Sequence, residues 1–280
     1  NKGDSLPEGP ETKRMADIIF KNLVGFKMVS SKFLHHSLFE LKKEKNINIK
    51  NVFSKGKAVI IQLNNDKSII THNQLYGKWT SHFLNTIIKH KRVLRIEFCT
   101  QKKAVRLWSA TDISLYKTSE EKHHPYLKKI GPDVLDFRTT IQLIFERLTS
   151  SQFKNKNLGS ILLNQSFISG LGNYLRSEIL FFSKTNHTQK ASSLKLKTNE
   201  NLAFHIKNVS QRAYKQRGVT LDLEHIEKSF GNIKNFKRIK HMVFRRDNLP
   251  CFICGSIILK VLVSSRAIFL CPSCQGFKSN

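Results

Sequence analysis

Two hydrophobic periods divide this chain. Near the start, Met15, Ile18, Ile19 and Leu23 fall roughly on one helical face. Pro10 suits the first turn of that helix, Glu11 suits its positive end, Gly9 lets the chain turn in and Gly25 supplies a stop. Less regular sequence follows, including the basic run Lys42-Lys43-Glu44-Lys45, which reads as a solvated loop. From Val52 to Lys117 the pattern is that of strands. Lys57 to Leu63, then an Asn-Asn-Asp turn, then Ser68 to His72 make two. Val93, Leu94, Ile96 and Phe98 belong to a third, Val105, Leu107 and Trp108 to a fourth, and Asp112 to Tyr116 to a fifth. Short strands separated by polar turns predict an antiparallel sandwich or barrel.

Residues 119–138 are polar and contain proline, and they read as a connector in which His123 and His124 are solvated. The period then lengthens. Ile141, Ile144, Phe145 and Leu148 form a helical stripe, and Leu158 to Phe167 predicts another helix. Gly170-Leu171-Gly172 forces a tight turn, and Asn173 to Phe182 resumes helix. Leu202, Ile206, Val209 and Ala213 make a further stripe that ends at Gly218.

Charge changes the picture next. The 280 residues allow two domains with real cores. The 48 Lys and Arg against 20 Asp and Glu give a formal net charge of +28, which points to a polyanion. Nucleic acid fits better than an acidic membrane, because the basic residues are spread through the sequence instead of forming one juxtamembrane cluster. No run approaches the length of a transmembrane helix, and residues 1–15 lack the apolar core of a signal peptide. A soluble cytoplasmic protein is expected.

Two loops acquire a second reading in that light. Gln74-Leu75-Tyr76 ahead of Gly77 is either a strand end packing into a core or a wedge that fills the space of a nucleotide extruded from stacked DNA. The Gly170-Leu171-Gly172 turn is either an ordinary helical hairpin or a phosphate cradle, with Asn173 and Arg176 as side-chain donors.

The most specific local signal closes the chain. Cys251-Phe252-Ile253-Cys254 and Cys271-Pro272-Ser273-Cys274 match the spacing of a four-thiolate zinc ribbon. One structural Zn2+ is expected, with every coordination position filled. Ile257 to Val263 and Ala267 to Leu270 predict a hairpin with Ser264-Ser265-Arg266 at its tip, projecting Arg266 toward a phosphate. Cys99 stands apart and reads as a buried small hydrophobe.

Together these pieces resemble the formamidopyrimidine-DNA glycosylase and endonuclease VIII family, from about Pro7 to Gly276. The motifs that carry the resemblance are Pro-Glu-Gly-Pro-Glu (7–11), Gly56-Lys57-Ala58, His72-Asn73-Gln74-Leu75-Tyr76-Gly77, Gly131-Pro132-Asp133-Val134-Leu135, Gly170 to Arg176, and the cysteine pairs. The start and the Gln-Leu-Tyr triplet are similar to the bacterial endonuclease VIII branch, which favours oxidised pyrimidines. The resemblance implies an α+β fold in several parts. Residues 7–118 would form an N-terminal β-sandwich with a leading catalytic helix, and 119–138 the connector. Residues 139–245 would form an α-helical helix–two-turn–helix domain, and 246–280 a zinc-ribbon β-hairpin, with DNA held in the cleft between the two domains.

The implied activity is that of a bifunctional DNA glycosylase and AP lyase in base excision repair. Its partner would be double-stranded DNA containing damaged bases or abasic sites, met as a monomer at a bacterial-type nucleoid. Pro7 would be the nucleophile, Glu8 the general acid and base at the sugar ring oxygen, and Glu11 its support. Lys57 would depress the pKa of the amine and bind a flanking phosphate. Gln74, Leu75 and Tyr76 would fill the vacated stack, while Lys57, Asn173 and Arg266 clamp phosphates. One departure stands out: a prolyl nitrogen is nucleophilic only as residue one, yet Asn1 to Leu6 precede Pro7. We expect that leader to be an upstream extension, with Leu6 encoded by a leucine codon used as the start. The alternatives are removal by a protease, or a retained leader that leaves a non-catalytic zinc-ribbon DNA-binding protein. A preference for oxidised purines is the alternative within the enzyme class.

Overall fold

The computed structural model describes residues 7–74, 76–89, 91–221, 239–263 and 265–277. The leader Asn1 to Leu6 therefore lies outside the described residues, as does Leu75 of the expected wedge. The chain divides into two compact units, with the division between Lys129 and Ile130.

The first unit begins with α1 (Gly9–Leu23) and continues through eight strands: β1 (Ser30–Phe33), β2 (Ile49–Lys55), β3 (Ala58–Leu63), β4 (Lys67–His72), β5 (Lys78–Phe83), β6 (Leu94–Cys99), β7 (Lys103–Trp108) and β8 (Asp112–Lys117). They form two four-stranded antiparallel sheets, in the orders β1-β6-β7-β5 and β2-β3-β4-β8. One apolar cluster joins the inner faces of both sheets and one face of α1, with Ile19 and Leu23 beside Val52, Ile61, Ile69, Trp79, Phe98 and Leu107. That is the expected sandwich. The buried face of α1 is Thr12, Ala16, Ile19 and Leu23, whereas Ile18 is 38% exposed, so the predicted face was rotated by part of a turn. Cys99 is buried as expected. The unit ends in α2 (Pro125–Lys129). Just before it, His123 is exposed but His124 is not solvated. The Nδ1 of His124 accepts the Tyr126 N–H at 3.2 Å, and its ring lies edge-on to Tyr116.

The second unit holds α3 (Ile141–Thr149), α4 (Leu158–Ile161), α5 (Asn173–Phe182), α6 (Leu196–Lys215) and the hairpin of β9 (Leu259–Val263) and β10 (Arg266–Leu270). The long helix expected over 158–167 is only the short α4, followed by turns. Helix α5 is almost wholly buried, which explains its near-continuous apolar sequence. Its Glu178 is fully buried, and its carboxylate accepts the Met242, Val243 and Phe244 N–H groups and the Thr220 hydroxyl. Four donors satisfy a group whose burial would otherwise be costly. No helix among the described residues is long and apolar enough to cross a membrane.

Candidate active site and metal centre

The head of α1 shows why Pro7-Glu8-Gly9-Pro10-Glu11 begins as it does. Glu8 is the N-cap residue in extended conformation, and a proline follows in the first turn. The Glu8 N–H donates to Glu11 Oε2 at 3.0 Å, and the Glu8 carboxylate returns the contact at the Glu11 amide, closing a capping box. The Glu8 carbonyl also accepts the Thr12 N–H at 3.0 Å and the Thr12 hydroxyl at 2.9 Å. Glu8 is only 3% exposed, so a carboxylate is held rigidly one residue after Pro7. Glu11 acts on the backbone of Glu8.

Helix α1 packs on β2 and β3, the two strands whose turn carries Lys57. Lys55 pairs with Ala58, leaving the two-residue turn Gly56-Lys57, in which Gly56 has φ of 60°. A positive φ at the first turn position is what a II′-type hairpin demands, hence glycine. Lys57 is half-buried and close enough to His72 for its charge to act there. The His72 imidazole is held below its ordinary range, first by burial; the Asp112 carboxylate opposes the shift and the Lys57 ammonium adds to it.

The β4–β5 loop is closed by the Gly77 N–H donating to the Asn73 carbonyl at 2.7 Å. A Cβ on Gly77 would lie 2.6 Å from that oxygen, so the turn requires glycine. Tyr76 projects at 68% exposure. Gln74 is exposed, adopts φ of 45°, and its Nε2 donates to Asp112 Oδ2 at 3.1 Å. The loop thus presents a polar and an aromatic side chain to solvent instead of packing both into the core.

In the second unit Asn173 opens α5, after Gly172 as N-cap. Its Nδ2 donates to the Ala267 carbonyl at 2.8 Å, which fixes the start of the helix to β10. The Phe269 N–H donates to Ser177 Oγ along the same contact. Arg266 is exposed and pairs with Val263 as the first residue of β10, so it sits at the end of the ladder and not within the turn. The expectation for Arg176 is corrected. This residue is 1% exposed, and its guanidinium donates to the Gly159 carbonyl at 3.0 Å, to Asn173 Oδ1 at 2.5 Å and to the Ala267 carbonyl at 3.4 Å. It supports Asn173 and the hairpin from inside and does not face a phosphate.

Cys251, Cys254, Cys271 and Cys274 converge, with all four Sγ atoms within 4.8 Å of one another. The pairs 254–271 and 251–274 are 3.3 and 3.9 Å apart, well beyond disulfide length. The Ile253 and Cys274 N–H groups donate to Cys251 and Cys271 sulfur. A hydrogen bond from Ser256 draws the Cys254 thiol down to about 6, while burial pushes Cys271 up to about 11 and Cys274 further still. One bound cation would relieve that conflict by stabilising all four thiolates together. The set can hold one metal ion.

In the sequence His72 and Asp112 read only as strand and motif positions, and nothing marks Tyr126. Tyr126 accepts the Lys57 N–H at 2.8 Å from 69 residues away, and no local pattern signals such a bond.

Residues 130–224 match the family model described as the formamidopyrimidine-DNA glycosylase H2TH domain. The chain is 35% identical over 271 residues to the proteins named endonuclease 8 of Shigella sonnei and of Pectobacterium carotovorum, spanning 96% of this chain and 100% of each relative. Its fold is similar to that of Lactococcus lactis formamidopyrimidine-DNA glycosylase bound non-covalently to DNA containing an AP site. That likeness has a TM-score of 0.77 at 22% identity, over 96% of this chain and 99% of the other. A complex of the same Lactococcus lactis enzyme with DNA containing an oxidised pyrimidine gives 0.77 at 24%, with the same coverage.

Proposed function

The chain belongs to the formamidopyrimidine-DNA glycosylase and endonuclease VIII family, and we propose from that premise how its residues carry the chemistry. It is a DNA repair glycosylase and AP lyase, and its substrate is duplex DNA with an oxidised base, pyrimidines foremost, or an abasic site. The observation that carries the reading is the buried Glu8, clamped by Glu11 and Thr12 directly after Pro7.

The nucleotide is first flipped out of the stack, with Gln74, Leu75 and Tyr76 filling the space. The Pro7 nitrogen, as a free secondary amine, attacks C1′ and the base departs with its bonding electrons and a proton. Glu8 protonates the ring oxygen, the sugar opens and an iminium joins Pro7 to C1′. Loss of the acidified C2′ proton expels the 3′ phosphate; a second loss, from C4′, expels the 5′ phosphate. Lys57 supplies positive charge that keeps the amine neutral and contacts a flanking phosphate. Asn173 and Arg266 hold phosphates without reading sequence, as an enzyme that scans any DNA requires. The metal of the four-thiolate site is one zinc ion, closed and structural. The protein works as a monomer on the nucleoid, in the cytoplasm.

The test offers the chain that starts at Pro7 duplexes with one oxidised pyrimidine, one oxidised purine or one abasic site. Faster cleavage at the pyrimidine, leaving phosphate on both ends of the gap, is expected. Ends that retain an unsaturated sugar would refute the second elimination, and faster purine excision would refute the lesion preference.

A further inference from the structure

The turn that carries Lys57 is tied to a residue outside the strands. In a two-residue hairpin turn the flanking residues close the ladder, here Lys55 and Ala58, and the N–H of the second turn residue has no place in it. That N–H belongs to Lys57, and the Tyr126 hydroxyl accepts it at 2.8 Å. Tyr126 is itself fixed on two sides. Its own N–H donates to His124 Nδ1 at 3.2 Å, and the buried His124 leans on Tyr116 of β8. Its ring stands edge-on to His72 of β4, with centroids 5.1 Å apart. Strands β4 and β8 are neighbours in the sheet that also contains β2 and β3. The Tyr126 side chain therefore braces the tip of one hairpin against β4, and its backbone is tied to β8 through His124.

We propose that Tyr126 is a positioning residue for Lys57, with its hydroxyl holding the Gly56-Lys57 turn so that the lysine acts from one geometry. The packing against His72 needs only a ring, which phenylalanine would supply. The hydroxyl is what the Lys57 N–H uses. This role rests on the reading of Lys57 given above. Its consequence is kinetic, because a catalytic group displaced by about 1 Å can cost up to about 100-fold in rate.

Tyr126→Phe removes one oxygen and keeps the ring. In single-turnover trapping of the iminium on abasic duplex with borohydride, we expect the rate at saturating enzyme to fall about tenfold, with half-saturation changed by less than about twofold. In a Lys57→Ala background the same change should have no further effect, since both act through one group. The Lys57 amide should exchange with solvent faster in Tyr126→Phe while Val59 and Ile60 keep their protection. A Tyr126→Phe rate equal to the parent, or an equal loss with and without Lys57, would overturn the role. If the variant is less stable, amide exchange decides: faster exchange confined to Lys57 supports the bond, and uniform acceleration overturns it. Lys57→Ala alone reports on the underlying reading. If it traps as fast as the parent, Lys57 has no such part and Tyr126 loses its role with it; if it is slow while Tyr126→Phe is not, only the positioning role falls.

Discussion

Glu8 and Arg176 show how much a residue's surroundings decide. Glu8 completes a helix cap and, in the proposed reaction, also moves a proton, and the two can be separated. Glu8→Gln keeps an acceptor oxygen for the Glu11 amide but cannot donate a carboxylic proton. Base excision should fall at least about 100-fold while the melting temperature moves little, as read by single-turnover cleavage and calorimetry. Arg176 and Arg266 should part in the opposite sense. Arg176→Ala leaves the Gly159 and Ala267 carbonyls and Asn173 Oδ1 short of a donor inside the protein. That should cost about 3 kcal/mol in urea unfolding. Arg266→Ala should leave stability intact, weaken binding to any duplex and reduce the slope of log K against log salt by about 1. Sequence could not distinguish these arginines, because a basic residue after a glycine turn looks the same whether its donors meet a phosphate or the protein's own carbonyls. The start of α1 was legible because Pro10 and Glu11 are local helix signals, whereas the roles of Pro7, Glu8 and Glu11 came only with the family resemblance and the Glu8–Glu11 capping box only with the structure. Tyr126 was not, because its partner is a backbone N–H that any residue at position 57 would offer.

Among elements, the strands that sequence revealed are mostly those with the strongest burial. β3, β4, β6 and β7 carry runs of buried residues. β1, β2 and β5 were missed as strands, and all three are edges of their sheets, with one or two buried residues each. An edge strand with a solvated face shows little alternation to read. The cysteine ribbon was legible for the opposite reason: metal geometry fixes ligand spacing irrespective of burial. The hairpin's Ile258, Phe269, Cys251 and Cys271 share one apolar cluster with the helices of the second unit, so losing the metal should be felt there. If the proposed zinc is bound, elemental analysis should find one equivalent in the parent and none in Cys251→Ser. A loss of about 3 kcal/mol would lower the melting temperature by about 6–12 °C.

Across the whole molecule, the +28 charge favours binding to DNA, while buried and half-buried histidines should weaken the fold as pH falls. His35, His72, His124, His187, His205 and His241 are all held below their ordinary value by burial, His205 down to about 4. The unfolded chain then binds protons more readily than the folded one. The stability due to neutral His205 is complete above about pH 6.5 and is lost as pH falls toward about 4. His205 stacks on Phe182, and its Nδ1 is buried without a hydrogen-bond partner among the described residues. His205→Gln should therefore lose less stability than the parent between pH 6.5 and 4, measured by urea unfolding at each pH. A parallel decline in both would contradict the assignment.

In the proposed mechanism a prolyl amine at position 7 forms the covalent bond to DNA. Two forms of the chain, one beginning at Pro7 and one retaining Asn1 to Leu6 uncleaved, would be mixed with abasic duplex and borohydride, and the adducts digested and weighed. A reduced adduct on Pro7 is expected in the first form and none in the second, although both bind the duplex. Trapping on a lysine, or equal trapping by an intact extended chain, would contradict it.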